Sequence, residues 1–166
     1  MSAGQTVIAA MPVADFGPQA PPQVEGQTTC YWHFTLLRII PKVPVPDFRL
    51  PATEGPNVTT TASGLRIEIL EQGSGAQPLA SSTVEVHYAG WLTDGTGFDN
   101  SFDRGSPSQF GVGQVIPGWT EALLTMKVGT KALLYIPSDI GYGARGVGSI
   151  PPNSDLVFYV DMIEVL

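Results

Sequence analysis

The chain has 166 residues, 43% of them hydrophobic and 14% charged, which supplies apolar material for one folded domain. Eight Lys and Arg against fifteen Asp and Glu give a net charge of −7. That excludes a phosphate-binding surface of clustered cations, so no nucleic-acid partner is expected, and it excludes a polybasic membrane-surface segment. A single cysteine, Cys30, excludes an intrachain disulfide, and two distant histidines leave no zinc ligand set with usable spacing.

Proline divides the chain. Nine of the fifteen prolines fall within residues 1–60, from Pro12 to Pro56. The charge divides too: residues 1–60 carry three basic and four acidic side chains, residues 61–166 five and eleven. We therefore expect a Pro-rich extension over 1–60, largely disordered or loosely extended, and one compact acidic domain over 61–166. Within the extension only TTCYWHFTLLRII (28–40) is rich in β-branched and aromatic residues, and it could pair as an added strand or form an exposed sticky patch. Its apolar core, Tyr31 to Ile40, is too short to span a bilayer and contains His33 and Arg38, so no membrane insertion is expected. No Lys or Arg precedes Arg38, so the positive region of a secretory leader is missing, and a cytoplasmic location is expected.

Beyond residue 60 the pattern is that of strands. GLRIEIL (64–70) and TVEVHY (83–88) alternate apolar with polar residues, while KALLYI (131–136) and LVFYVDMIEVL (156–166) are apolar and β-rich. A period of two places one face in a core and the other in water, with His87 on the solvated face. Between them, Trp119, Ala122, Leu123 and Met126 make one apolar stripe at helical spacing, with Pro117 at its start and Gly129 at its end, so a helix is expected over 117–129. Strands, one short helix and more strands indicate an α+β fold with the helix packed on one antiparallel sheet. The loops 94–107 and 140–152 are dense in glycine, and such loops on a rigid sheet are where sites lie.

The usual signatures of nucleophilic and nucleotide chemistry are missing. There is no GxSxG and no P-loop, and the one G-x-G-x-x-G, at 141–146, has no βαβ unit after it. Asp99, Asp103 and Arg104 share a loop, where a solvated salt-bridge cluster would account for them. What remains is an aromatic set with few charges: Tyr88, Phe98, Phe110, Trp119, Tyr142 and Phe158. By composition these read first as plain core residues, and only second as the lining of an apolar pocket.

The order of motifs is more informative. VHYAG (86–90), DGTGFDNSFDRG (94–105), VIPGW (115–119), VGTKALLYIPSDIGYG (128–143), IPP (150–152) and LVFYVDMIEV (156–165) follow one another along the chain. In these motifs the chain closely resembles the FKBP-type peptidyl-prolyl cis–trans isomerases over about residues 61–166, and not over 1–60. The resemblance implies an antiparallel sheet of five or six strands curled around one short helix, with an aromatic-walled site between them. It implies that Trp119 floors the pocket under the proline ring and that Tyr88, Phe98, Val115, Ile116 and Phe158 wall it. Ile150 would sit on a flap. The Tyr142 hydroxyl and the Ile116 N–H would donate to substrate carbonyls, Asp99 would stand at the rim, and Arg104 would pair with Asp99 and the Tyr88 hydroxyl. Two departures bear on specificity. Pro107-Ser108-Gln109 stands where several members have an aromatic residue, and Val147-Gly148 where some have histidine and proline.

The activity implied is rotation about Xaa-Pro bonds during protein folding, with no cofactor and no metal; a non-catalytic proline-binding or chaperone-like module using the same pocket is the alternative. The partners implied are proline-containing polypeptides and macrolides such as rapamycin, which mimic a twisted prolyl amide. A monomer is expected.

Overall fold

The computed structural model describes residues 44–166 and, as backbone only, the strands Thr6–Pro12 and Thr29–Thr35. The chain divides into two compact units, Met1–Pro41 and Lys42–Leu166. In the first, β1 (Thr6–Pro12) and β2 (Thr29–Thr35) form an antiparallel pair with Ile8 opposite His33. The apolar stretch 28–40 thus contributes a strand, while the expectation of disorder for residues 1–5, 13–28 and 36–43 lies outside the described residues.

The second unit is a sheet around a helix. Its strands are β3 (Val58–Thr60), β4 (Arg66–Glu71), β5 (Thr83–Leu92), β6 (Gly97–Asn100), β7 (Ser108–Gly111), β8 (Lys131–Ile136) and β9 (Leu156–Val165). The spatial order is β3-β4-β8-β9-β5-β6, with β7 also paired to β5, and every pairing is antiparallel. The α+β class and the single short helix hold, with seven strands in place of five or six.

The two-residue period decides which face is buried. Ile67 on β4, Val84, Val86 and Tyr88 on β5, Leu134 and Ile136 on β8, and Phe158, Val160 and Met162 on β9 all enter one core. The helix α1 (Pro117–Leu123) lays Trp119, Ala122 and Leu123 into that core, and Met126 follows from the turn beyond it. Gly118 allows this approach, because a Cβ there would come within 2.6 Å of Ile136. The helix is shorter than the expected 117–129. Thr125 and Met126 bond back three residues rather than four, to Ala122 and Leu123, and Thr125 Oγ1 takes the Ala122 carbonyl at 2.7 Å. Gly129, at φ +89°, then turns the chain into β8.

The outer face of the sheet is not simply wet. Ala89, Trp91, Phe102 and Val157 form a second buried cluster there, joined by Phe48, Tyr135 and Tyr159. Phe48 meets Trp91 with ring centroids 5.9 Å apart, and Arg49 makes paired bonds to Glu68 on β4. Residues 48–60 therefore belong to the packed unit. Packing moves the start of the compact unit from the expected Thr61 to Lys42, because the segment around Phe48 covers apolar surface that the outward faces of β5 and β9 leave open. His87 does face outward, but it is half-buried: its ring stacks on Phe102 and its Nδ1 lies 2.8 Å from Ser101 Oγ. Among the described residues no helix is long and apolar enough to cross a membrane.

Candidate active site

A cleft of about 530 Å³ opens between α1, the inner face of the sheet and the loop 147–150. Trp119, 4% exposed, forms its floor. Three rings stand edge-on around the indole: Tyr88 at 5.6 Å and 88°, Phe110 at 5.6 Å and 72°, and Phe158 at 5.3 Å and 87°. Edge-to-face packing of this kind favours the aromatic quadrupoles and fixes each ring's tilt. Phe98 continues the wall, edge-on to Phe158 at 5.5 Å. Gly90 of β5 makes that closure possible, since a Cβ there would fall 2.6 Å from Phe98 and 2.7 Å from Phe158.

The segment before the helix supplies the opposite wall. Val115 and Ile116 line the cleft, and Thr120 Oγ1 pins their segment to the helix by donating to the Val112 carbonyl at 2.7 Å. Ile116 is the N-cap of α1, and its carbonyl accepts from Trp119 and Thr120. Its N–H has no acceptor among the described residues. The Tyr142 hydroxyl likewise has no hydrogen-bond partner there, and the residue is 37% exposed at the mouth of the cleft. Burial, and then the nearby Asp99 charge, push its phenol upward from the usual value, so it stays a neutral donor through the physiological range.

A closed polar triangle sits at the rim. Tyr88 donates its hydroxyl to Asp99 Oδ2; Arg104 Nη1 donates to Asp99 Oδ1 at 2.6 Å, and Nη2 to the Tyr88 oxygen at 2.8 Å. Arg104 also reaches Ser108 Oγ at 3.1 Å. The loop that carries Arg104 is capped by Asn100, whose side chain accepts from the Asp103 N–H at 2.7 Å and donates to its carboxylate at 2.9 Å. Burial pushes the Tyr88 phenol up to about 12, and the bond to Asp99 adds to this against the opposing effect of Arg104. Burial alone would raise the Asp99 carboxyl, but the bonds from Tyr88 and Arg104 outweigh it and hold it below the usual carboxylate value. At neutral pH the triangle is therefore carboxylate, phenol and guanidinium, and none of the three gains or loses a proton there.

The flap is a tight β-bridge in which Val147 and Ile150 exchange main-chain bonds of 3.0 and 2.8 Å. Gly146 sits before it at φ +60°, and a Cβ there would strike the Ile150 carbonyl at 2.4 Å. Ile150 is buried and faces the cleft.

The structure brings nine of the sequence-derived candidates to the cleft lining: Tyr88, Phe98, Asp99, Val115, Ile116, Trp119, Tyr142, Ile150 and Phe158. Arg104 is not part of the lining and reaches the site through Asp99 and Tyr88. Five lining residues were not singled out for the site: Phe110, Gln114, Val147, Gly148 and Ser149. Phe110 supplies a wall despite the aliphatic and polar stretch Pro107-Ser108-Gln109. Its place in the aromatic set was the available signal, because β7 alternation from Val86↔Ser108 to Val84↔Phe110 turns it inward.

Residues 75–163 match the family profile described as FKBP-type peptidyl-prolyl cis-trans isomerase. The chain is 53% identical over 110 residues to the FKBP-type 22 kDa peptidyl-prolyl cis-trans isomerase of Escherichia coli K12, covering 66% of this chain and 53% of that protein. It is 46% identical over 111 residues to the outer membrane protein MIP of Legionella longbeachae, covering 66% and 48%. The crystal structure of FkpA from Escherichia coli superposes with a TM-score of 0.65 at 47% identity, covering 68% of this chain and 53% of that one. The chain thus spans about half the length of the curated relatives it matches. The cytoplasmic location expected above is overturned by this kinship with an outer membrane protein: it rested only on the lack of basic residues before Arg38, which says nothing of where such domains work. Motif order, the sheet wrapped on α1, the ring-walled cleft and the profile over 75–163 agree, and the chain belongs to the family of FKBP-type peptidyl-prolyl cis–trans isomerases.

Proposed function

We propose that this chain catalyses cis–trans rotation about Xaa-Pro bonds of polypeptides, with the proline ring over Trp119. The observation that carries the reading is the combination of an apolar, ring-walled cleft with two donors at its edge that have no partner among the described residues, the Tyr142 hydroxyl and the Ile116 N–H.

Rotation is slow because amide resonance must be broken, at a cost of roughly 18–20 kcal/mol. No covalent bond is exchanged, so the reaction asks for no nucleophile and no proton transfer. In the twisted amide the carbonyl is less polar and the nitrogen pyramidal, so an apolar, water-poor cleft favours it over the planar ground state. Tyr142 and Ile116 hold the flanking carbonyls in the twisted geometry, which makes the binding selective for the transition state. Asp99, at the rim, keeps its charge, and Tyr88 and Arg104 hold its two carboxylate oxygens in place. Lowering the barrier by roughly 5 kcal/mol gives between 10³- and 10⁴-fold acceleration. Proline-containing polypeptides are the substrates of this reading, and macrolides such as rapamycin are further ligands of the same cleft. The domain works as a monomer.

The test is exchange spectroscopy on an Ala-Leu-Pro-Phe peptide with catalytic protein and with a Tyr142→Phe/Asp99→Ala variant. Enhanced exchange that the variant loses supports an isomerase working through this cleft. Binding without enhanced exchange would leave a proline-binding module instead.

A further inference from the structure

Tyr142 sits between two short 3-10 turns, Ser138–Ile140 before it and Gly143–Arg145 after it. Neither turn is capped by the side chain of the residue that opens it, Pro137 or Tyr142 itself. Tyr142 is flanked by Gly141 and Gly143, the latter at φ +58°. Glycine on both sides gives the backbone wide freedom, so the direction of the phenol must be fixed from elsewhere.

The hold comes from residues 153–156, at the start of β9. Asp155 Oδ1 accepts the Ser138 N–H at 2.9 Å, and Oδ2 accepts the Tyr135 hydroxyl at 2.5 Å. The first of these satisfies a donor that the opening of a helical turn leaves without a partner. A carboxylate makes stronger bonds of this kind than a neutral acceptor. Tyr135 is itself fixed, with the Arg66 guanidinium 4.9 Å from its ring centroid. The bond to Asp155, and then burial, push the Tyr135 phenol upward, so it keeps its proton to donate. The next residue, Leu156, packs against the same turn: a Cβ on Gly141 would come within 3.3 Å of it. On the far side of Tyr142, the Asn153 N–H donates to the Gly143 carbonyl at 2.9 Å. Asn153 stands at φ +57°, a left-handed conformation in which asparagine is enriched, and Ser154 Oγ ties the stretch to the Pro151 carbonyl at 2.8 Å. Asn153 holds by main chain and Leu156 by packing; Asp155 holds by its side chain.

We infer that Asp155 is a positioning residue for the isomerase reaction: by gripping Ser138 and Tyr135 it fixes the turn that aims the Tyr142 hydroxyl into the cleft. The inference rests on the isomerase reading above and on Tyr142 as a donor in it. Asp155 is not part of the cleft lining, so it acts through the place it gives Tyr142. Because that donor is used in the twisted state, loosening the turn lowers kcat and leaves KM nearly as it was.

The test is a double-mutant cycle on the full chain, with exchange of Ala-Leu-Pro-Phe as the assay and thermal unfolding of each variant run alongside. Asp155→Ala is expected to lower kcat about threefold, part of the worth of one hydrogen bond, with KM little changed. In a Tyr142→Phe background the same substitution is expected to cost nothing more, because the group it positions is gone. A purely structural role would lower the unfolding midpoint equally in both backgrounds and would not make the kcat effect depend on Tyr142. Asp155→Asn keeps an oxygen for the Ser138 N–H and is expected to retain most of the activity. If Asp155→Ala does not fold, Tyr135→Phe carries the same cycle, with a smaller loss that Tyr142→Phe again abolishes. An unchanged kcat in the folded variant, a loss that persists in full beside Tyr142→Phe, or a loss in Asp155→Asn as large as in Asp155→Ala each overturns the assignment and leaves the isomerase reading intact. A parent that turns over while Tyr142→Phe alone changes nothing removes Tyr142 as a donor, and the role of Asp155 with it. No turnover by the parent takes down the isomerase reading itself.

Discussion

Arg49 holds Glu68 by both arms of its guanidinium, at 2.8 and 2.7 Å, and the same carboxylate accepts the Ala52 N–H at 2.8 Å. Both residues lie upstream of the stretch 75–163 that defines the family. The bond to Arg49 lowers the Glu68 carboxyl below its usual value, and it outweighs the burial that opposes it. One residue earlier, Phe48 covers Trp91 on the outer face. A chain starting at Lys42 should therefore be more stable than one starting at Thr53 by about 2 kcal/mol, from the lost apolar contact and the paired bond. Urea unfolding of the two chains measures the difference; equal midpoints would mean that the segment only decorates the sheet.

Tyr142→Phe should lower kcat/KM for Ala-Leu-Pro-Phe about fivefold, the worth of one hydrogen bond made in the twisted state, and leave the unfolding midpoint where it was. The hydroxyl has no partner within the described protein, so its loss strands no buried group. A matching fall in stability would show that it serves the fold.

Trp119→Ala should cost about 3–5 kcal/mol of stability, since it empties the centre around which three rings pack. Trp119→Phe, which keeps a ring on the floor, should cost far less and separate activity from folding. Calorimetry and the peptide assay on both variants check this.

The rim triangle sets the pH behaviour. Asp99 and Glu68 have folded-state values below their unfolded ones, so the stability they give is present above about pH 4 and is lost as the pH falls through the folded values. Tyr88 runs the other way: its contribution is complete below about pH 10 and is lost as the pH rises through its folded value of about 12. Activity should be flat from about pH 6 to 9, because no group of the triangle titrates there. In Asp99→Ala the Tyr88 phenol should titrate lower than in the parent but still above a free tyrosine, since burial remains. Ultraviolet titration of the phenolate reads this directly, and an unchanged midpoint would dissolve the proposed coupling.

Gly146→Ala should open the flap. The added methyl would sit at φ +60° and 2.4 Å from the Ile150 carbonyl, so the Val147–Ile150 bridge must give way. We expect a higher KM for the tetrapeptide and faster amide exchange at Val147 and Ile150. Retained protection at both amides would refute the clash.

The fold was legible to the extent that it depends on alternation. Val84, Val86 and Tyr88 point inward because a strand has a period of two, and the stripe Trp119, Ala122, Leu123, Met126 is buried as a helical spacing requires. The helix end was not legible, because Thr125 competes for the Ala122 carbonyl through its hydroxyl, and a period does not register that. Phe110 was visible as one aromatic residue among several, but its place as a wall follows from the pairing of β7 with β5.

By itself the sequence determined the class of the fold, the inward residues and, through the order of six motifs, the family. These are local or one-dimensional properties: a period, a proline at a helix start, a glycine at a turn. The tertiary structure decided what depends on contacts between distant segments. It joined Arg104 to Tyr88 across sixteen positions, set Phe48 against Trp91, moved the start of the compact unit to Lys42, and put β6 at the end of the sheet order beside the cleft. Such contacts arise from which strand ends beside which and from the surface that remains to be covered, and no window of sequence contains both partners.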